Sequence, residues 1–295
     1  MNIISISSKK FASLTPLKLS KEIFNTEGNI YEFEYRGKPE ILKYLHHLSG
    51  PIFASKLYTV EMLDSNSEYL PESFYCPDHL FSIGSTISGF TVPWAKGVNL
   101  STFLSDRHAD LKEQVYYLKK VGELLQQLKT IRKYTPLKTL FINDLHESNF
   151  IVNPDNKHLY VIDLDSCKIG NNLSFPARYL TPFSLLNEVH GKYNINDDSS
   201  IPGYVMADEN SDLYCYNIMI LNYLYGKSVN SMNGSEFYEY LNYLNKIGIN
   251  GDLLNSFSAI IVNKDNVNPV NYLDSLTTEQ IYRAKSIVYK KTKNR

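Results

Sequence analysis

Three oxygen-bearing side chains surround one short apolar hairpin in the middle of the chain. Residues 141–170 read FINDLHESNFIVNPDNKHLYVIDLDSCKIG. Asp144 lies before the first apolar run, Asn149 begins that run, and Asp163 ends the second. Carboxylate and amide oxygens are the ligands that Mg²⁺ takes from proteins, and few of them come from one chain. An amide and a carboxylate at adjacent strand ends can converge on such an ion, while a carboxylate upstream can orient a nucleophile. Phosphoryl transfer requires these components.

Helical patterns flank this hairpin on both sides. Apolar residues recur at spacings of three and four over residues 110–133, which predicts a long amphipathic helix. Residues 211–226 are almost entirely apolar, which predicts a buried helix with Ser211 as its N-cap and Gly226 at its end. The Asn-Pro-Asp-Asn sequence between the two apolar runs is typical of a turn.

The first ninety residues are instead dominated by strand patterns. IYEFEYRG alternates apolar and charged residues, RGK predicts a turn, and PEILKYL predicts a second strand with Ile41 and Lys43 on one face. PIFASKLYTVEMLD predicts a helix, with Pro51 in its first turn and Glu61 on the same stripe as its apolar residues. GFTVPWAKG predicts a strand that runs into a connector at residues 93–97.

Composition excludes several classes of function. The 295 residues carry a net charge of -1 and 21% charged residues, so neither a general nucleic-acid binder nor a binder of anionic membranes is expected. No apolar run is long enough to span a membrane, and the order of charge and apolar residues at the start is wrong for a secretory signal. The three cysteines are far apart without a C-x-x-C pair, which favours a reducing, cytoplasmic location.

The hairpin residues resemble the protein-kinase-like superfamily. The family's catalytic loop, H-R-D-x-x-x-x-N, corresponds here to I-N-D-L-H-E-S-N, and its metal-binding D-F-G corresponds to D-L-D. The resemblance implies that Asp144 is the catalytic base and that Asn149 and Asp163 bind Mg²⁺. His146, two residues after Asp144, is closer to the loop of aminoglycoside and choline-type kinases.

The resemblance extends to most of the chain. It implies that Lys43 of EILK contacts the phosphates of ATP, that Glu61 pairs with Lys43, and that Asp212 supports the catalytic loop from below. Gly28 would remain from a glycine-rich phosphate loop, and the residues facing the adenine would be Val92, Pro93, Trp94 and Ala95. The implied fold is α+β and two-lobed, with a small antiparallel-sheet N-lobe (residues 1–93), a hinge (94–97) and a larger helical C-lobe (98–295).

The sequence departs from the family pattern in four features. The phosphate loop has lost two of its three glycines, and Asn143 replaces the arginine before the catalytic aspartate. Asp165 stands where D-F-G has glycine, and no clear A-P-E is present, although ADE occurs at residues 207–209. Asp165 and Asp155 are expected to be surface acids.

The resemblance implies an ATP- and Mg²⁺-dependent phosphotransferase, first of all an atypical protein kinase acting on a Ser, Thr or Tyr hydroxyl. A small-molecule kinase is the alternative favoured by His146 and the missing A-P-E, with acids in residues 193–212 available for a cationic substrate. A nucleotide-binding pseudokinase that regulates a partner is the third reading. Nucleotidyl transfer also stays open, because sequence does not show the orientation of the nucleotide.

Overall fold

The computed structural model describes residues 1–17, 28–46, 48–172, 208–229, 232–259 and 266–293, with side chains up to residue 287. The protein has an α+β architecture, as predicted. Its strands are β1 (Asn2–Ile6), β2 (Gly28–Tyr35), β3 (Lys38–Leu45), β4 (His79–Ile83), β5 (Thr86–Pro93), β6 (Val98–Asn99), β7 (Phe150–Asn153) and β8 (His158–Val161). Its helices are α1 (Ser8–Ala12), α2 (Gly50–Ser65), α3 (Leu100–Ser105), α4 (Leu111–Tyr134), α5 (Glu209–Tyr225), α6 (Gly234–Lys246), α7 (Gly251–Ala259) and α8 (Thr278–Lys293).

The first sheet has five strands in the order β1-β4-β5-β3-β2. Arg36 and Gly37 join β2 to β3, and both have positive φ, at 50° and 77°, as a tight two-residue hairpin turn requires. The sheet is antiparallel, as predicted, at three of its four strand pairs, whereas β1 pairs with β4 in parallel, which was not predicted. β1 lies more than seventy residues before β4 in the sequence. It is short and buries only Ile4 and Ile6, so its sequence pattern does not indicate which strand it pairs with.

The two faces of this sheet are covered differently. Phe11 of α1 packs over one face, against a cluster that contains Phe33, Leu42 and Phe81. The other face carries Leu45, Leu80 and Phe90 and packs against α2 through Val60. Because alternate residues of β3 point to opposite faces, Lys43 lies on the side of the sheet that faces α2.

α2 forms where the sequence predicted it. Pro51 lies in its first turn, where a missing backbone N–H costs no helical hydrogen bond. Its buried side carries Ser55, Lys56, Thr59, Val60 and Leu63, whereas Glu61 is exposed. This buried side packs against the single turn at residues 164–166 that follows β8.

The second sheet contains the predicted hairpin. β7 and β8 pair in antiparallel register, with Phe150 opposite Val161, and β6 pairs with the other edge of β7. A further segment, Ser73–Tyr75, runs along the free edge of β8. The Val161 N–H donates to the Ser73 carbonyl (2.8 Å), and the Tyr75 N–H donates to the Val161 carbonyl (3.0 Å). The segment that follows α2 is therefore attached by its backbone to the strand that precedes Asp163.

The largest core lies between α4, α5 and the second sheet. α4 begins with Asp110 as N-cap, and nine of its residues are buried. α5 is buried on nearly all sides, as predicted, and ends at Gly226 in the left-handed conformation. The predicted N-cap Ser211 is wrong: Asp208 caps the helix, and the Ser211 hydroxyl accepts a hydrogen bond from the Asp208 N–H. Among the helices described, none is long and apolar enough to cross a membrane.

Candidate active site

The loop before β7 is fixed by a buried aspartate at the start of α5. The Asp212 carboxylate accepts hydrogen bonds from the backbone N–H groups of Ile142 (3.0 Å) and Asn143 (2.9 Å), which is the contact expected for it. Asn143 has a φ of 64° and donates from its side chain to the Ser166 carbonyl (3.2 Å). Asn143 thus forms a short bridge between the loop and the segment after β8.

Asp144 and Asn149 lie at the two ends of this loop and are joined to each other. The Asn149 side-chain amide donates to the Asp144 carbonyl (2.8 Å) and lies 3.4 Å from the Asp144 carboxylate. No hydrogen bond among the described residues uses the Asn149 amide oxygen. The two residues therefore form one rigid unit, with an amide oxygen available as a ligand beside a carboxylate.

His146 lies inside the same loop and contacts the Asp144 side chain. Its Nδ1 accepts a hydrogen bond from the Ser148 N–H (3.2 Å), so the proton of the neutral ring is on Nε2. That nitrogen is 3.6 Å from the Asp144 carboxylate. Burial lowers the pKa of His146, but the neighbouring carboxylates of Asp144, Glu147 and Asp163 together outweigh burial and raise it above its usual value.

Lys43 and Asp163 meet between the two sheets. The Lys43 ammonium donates to the Asp163 carboxylate, although 120 residues separate them in sequence. Lys43 is almost completely buried, whereas 37% of the Asp163 side chain is exposed. Asp163 adopts the left-handed conformation (φ 61°, ψ 37°), which is uncommon for a residue with a side chain and turns its carboxylate toward Lys43. The structure thus brings together the lysine of β3 and the aspartate that follows β8.

Asp165 is a buried part of this cluster, so the prediction of a surface acid is wrong. One of its carboxylate oxygens accepts from Lys43 (2.8 Å) and the other accepts from Lys56 of α2 (2.6 Å), and the side chain is 1% exposed. Burial alone would raise the pKa of Asp165, but the two ammonium groups hold it well below the usual range. Burial alone would also lower the pKa of Lys43, and the carboxylates of Asp163 and Asp165 raise it instead. Asp155 is exposed in the β7–β8 turn, as predicted.

The predicted pair between Glu61 and Lys43 is wrong. Glu61 is exposed on α2, and the carboxylates that pair with Lys43 in the described part of the chain belong to Asp163 and Asp165. The α2 residue that reaches the cluster is Lys56, five positions earlier and about 140° away around the helix axis. The sequence did not indicate Lys56, because the helix was interpreted from its apolar stripe and the partner of this buried lysine, Asp165, lies 109 residues further along the chain.

The residues expected to contact the nucleotide lie along the first sheet and the connector. Val92 of β5 pairs with Ile41 of β3. Pro93 and Ala95 are half-buried, and Trp94 is 39% exposed. Gly28 pairs with Leu45 at the start of β2, and an added Cβ would lie 2.2 Å from the Tyr44 carbonyl oxygen. Close strand approach therefore requires this glycine. Residues 24–27 of the expected phosphate loop (24–32) and residues 193–207 of the acidic segment (193–212) lie outside the described residues.

The available side-chain ligands fit Mg²⁺, which keeps several waters, better than they fit a metal ion coordinated only by protein side chains. Within the described ranges, no group of three or more His, Cys, Asp or Glu side chains could hold a metal ion. Asn149 and Asp163 supply one amide and one carboxylate, which suits an ion that keeps waters and takes its remaining oxygens from phosphates.

Comparison with known proteins adds no relative to this picture. No protein-family model matches the sequence, and no curated protein matches it. The resemblance to the protein-kinase-like superfamily thus rests on the motif residues named in the sequence analysis.

Proposed function

We propose that this protein is an ATP- and Mg²⁺-dependent phosphotransferase with a two-lobed, kinase-like fold. The observation that carries the proposal is the ion pair between Lys43 of the first sheet and Asp163 after β8. Asp144 and Asn149 lie on the adjoining loop, joined by a hydrogen bond. A cation for phosphates, two oxygen ligands for a metal and a carboxylate for a hydroxyl proton thus occur together.

Each of these residues has a distinct role in the proposed reaction. Asn149 and Asp163 would hold Mg²⁺, which neutralises phosphate charge when bound. Lys43 would bind the phosphates of ATP, and Val92, Pro93, Trp94 and Ala95 would border the adenine. Asp144 would orient the acceptor hydroxyl and accept its proton. Its side chain is 14% exposed, so a hydroxyl can reach it while bulk water is mostly kept away.

The first acceptor to test is a protein hydroxyl of Ser, Thr or Tyr. A small-molecule alcohol is the second candidate, and the contact between His146 and Asp144 favours it. A histidine at that position is a feature of the loop in aminoglycoside and choline-type kinases. The two readings share the same metal and base residues, so they differ only in the acceptor that is phosphorylated.

The decisive experiment uses ATP labelled at either the γ- or the α-phosphate, with Mg²⁺ and a generic basic protein. For the wild type we expect label from the γ position only. Asp144→Asn should lower transfer about a thousandfold while ATP still binds, and Asp163→Ala should abolish Mg²⁺-dependent binding. Asp155→Asn, an exposed acid in the β7–β8 turn, is the matched control and should behave like wild type.

The other outcomes identify other functions. Label from the α position would indicate nucleotidyl transfer. Mg²⁺-dependent ATP binding without protein labelling would direct the search to small alcohols, and turnover of none of them would indicate a pseudokinase. A wild-type protein that does not bind ATP would contradict the proposal.

A further inference from the structure

The position of Lys43 depends on a chain of charges that continues beyond it into α2. Lys43 donates to one oxygen of Asp165, and Lys56 donates to the other oxygen of the same carboxylate. Both lysines are at least nine-tenths buried, and so is Asp165. Together with Asp163, the cluster contains two lysines and two aspartates, so its formal charges balance. Removal of one member would leave an uncompensated charge in a buried site, which is strongly unfavourable.

Asp163 alone cannot hold Lys43 during the proposed reaction. The exposed Asp163 carboxylate is the proposed Mg²⁺ ligand, and an oxygen bound to a cation is a weaker acceptor for an ammonium group. Asp165 is not a proposed Mg²⁺ ligand, because its two oxygens already accept hydrogen bonds from the lysines and its side chain is shielded from solvent. Asp165 is therefore the partner that remains with Lys43 when a metal binds.

Asp165 in turn is held from α2. Lys56 also lies 3.5 Å from the Ser166 hydroxyl, so it fixes the turn that carries Asp165 at two adjacent residues. A second contact from α2 to this region joins Thr59 to Asn172 (2.7 Å) and does not involve a charged group. Of these two contacts, the ionic one reaches Lys43 and the neutral one does not.

We infer that Lys56 and Asp165 are positioning residues for Lys43, and that they replace the direct pair between a helix glutamate and this lysine. The carboxylate has moved from the helix to the turn after β8, where the family has glycine, and the helix supplies a second cation in its place. This inference rests on the proposed function for its catalytic consequence, but the linkage between Lys56 and Lys43 exists in the protein without nucleotide.

The nucleotide-free test is ¹H–¹⁵N NMR of the lysine ammonium groups in the whole protein. Buried, ion-paired ammonium groups exchange slowly and give separate signals, and Lys43→Arg and Lys56→Arg would assign the two. We expect Asp165→Asn to remove both slowly exchanging signals, and Lys56→Met to shift the Lys43 signal and speed its exchange. Thr59→Val, which removes the neutral α2 contact, is the matched control and should leave the Lys43 signal in place. A Lys43 signal unchanged in Lys56→Met would overturn the inference.

The catalytic test measures kcat and KM for ATP at saturating Mg²⁺. Misplacement of a reacting group by about 1 Å costs on the order of a hundredfold in rate, so Lys56→Met should lower kcat by about that factor and change KM much less. Lys56→Arg should recover most of kcat because it keeps the charge. The double variant Lys56→Glu/Asp165→Gly returns the carboxylate to the helix and should be more active than either single change. Equal losses in Lys56→Met and Thr59→Val would reject the positioning role.

The two proposals fail in different ways. If the wild type neither binds ATP nor transfers phosphate, the proposed function is wrong, and the NMR experiment still decides whether Lys56 positions Lys43. If the wild type is active but Lys56→Met retains wild-type kcat, the function stands and the positioning role is wrong.

Discussion

At the scale of single residues, the buried position of Asp212 disfavours the ionised form of its carboxyl group. Burial raises the pKa of its carboxyl from 3.8 to about 6, although the N–H groups of Asn143 and Ile142 act in the opposite direction. The native state therefore binds a proton more tightly than the unfolded chain does. The stability that this proton contributes is present below the unfolded pKa and is lost as the pH rises through about 6.

The difference in free energy of unfolding between wild type and Asp212→Asn should therefore depend on pH. Asparagine leaves one backbone N–H of the loop without its acceptor, so the variant should be less stable at pH 7. Between pH 7 and pH 5 the wild type should gain about 1 kcal/mol relative to the variant, because only its residue 212 takes up a proton. Urea unfolding of both proteins at the two pH values measures this. A stability difference that is the same at both would contradict the raised pKa.

The residues that sequence reasoning identified are those with a local signal. Asp144, Asn149 and Asp163 lie in and around one hairpin, and their residue types and spacing predict a metal site and a base. Lys56 and Asp165 carry no such signal, because their contact joins residues 109 positions apart. Asp165 resembled a surface acid because an acidic residue after a strand is usually exposed, and only the two buried lysines make its burial favourable.

At the scale of elements, the ends of α5 were predicted less well than its middle. The apolar run indicated a buried helix, and Gly226 was predicted as its end. The N-cap was misplaced by three residues, because both Asp208 and Ser211 are good capping residues and each takes part in the capping box.

Gly226→Ala should destabilise the protein through backbone conformation alone. Gly226 has a φ of 77°, and an added Cβ would meet no atom closer than 3.8 Å. An alanine in the left-handed conformation costs about 1 kcal/mol, which corresponds to a fall in Tm of about 2 °C in a chain of this size. Gly251→Ala, at an open position without positive φ, is the control and should leave Tm unchanged or slightly higher. Equal shifts in both variants would rule out this explanation.

Gly89→Ala tests the strand pair that carries Lys43. A Cβ at this position would lie 2.0 Å from the Lys43 carbonyl oxygen and 2.7 Å from the Phe81 ring. β5 must then separate from β3 beside Lys43, so the variant should lose about 1–3 kcal/mol more than Gly84→Ala. Gly84 also has positive φ but lies in open space, which makes it the matched control. Denaturant unfolding would measure the difference, and similar losses in the two variants would refute the clash.

At the scale of the whole molecule, the α+β class and most elements were predictable, whereas the arrangement of distant segments was not. Period-two and period-3.6 patterns identified the strands of the first sheet and the long helices. The parallel pairing of β1 with β4, and of Ser73–Tyr75 with β8, joins segments without a shared turn. No turn residue or periodicity marks such a pair, so the sequence could not predict it.

Binding of ATP with Mg²⁺ should stabilise the whole protein against heat. At about a hundred times the Kd, a ligand that binds only the native state adds about 2.7 kcal/mol, or a rise in Tm of about 5 °C. Chelation of Mg²⁺ by EDTA should remove most of this rise, and so should Asp163→Ala, whereas Asp155→Ala should retain it. Thermal unfolding followed by circular dichroism is sufficient, and a rise that does not require Mg²⁺ would contradict the metal assignment.

The backbone pairing of Ser73–Tyr75 with β8 has a mechanical consequence. The five-stranded sheet is joined to the three-stranded sheet at residues 94–97, again at this pairing, and through the ion pairs of Lys43 and Lys56 with Asp165. Separation of the two sheets would therefore require buried charges to part, which is strongly unfavourable. The Ser73–Tyr75 pairing holds the segment after α2 in register with β8, so it resists sliding of one sheet past the other while the ion pairs resist their separation.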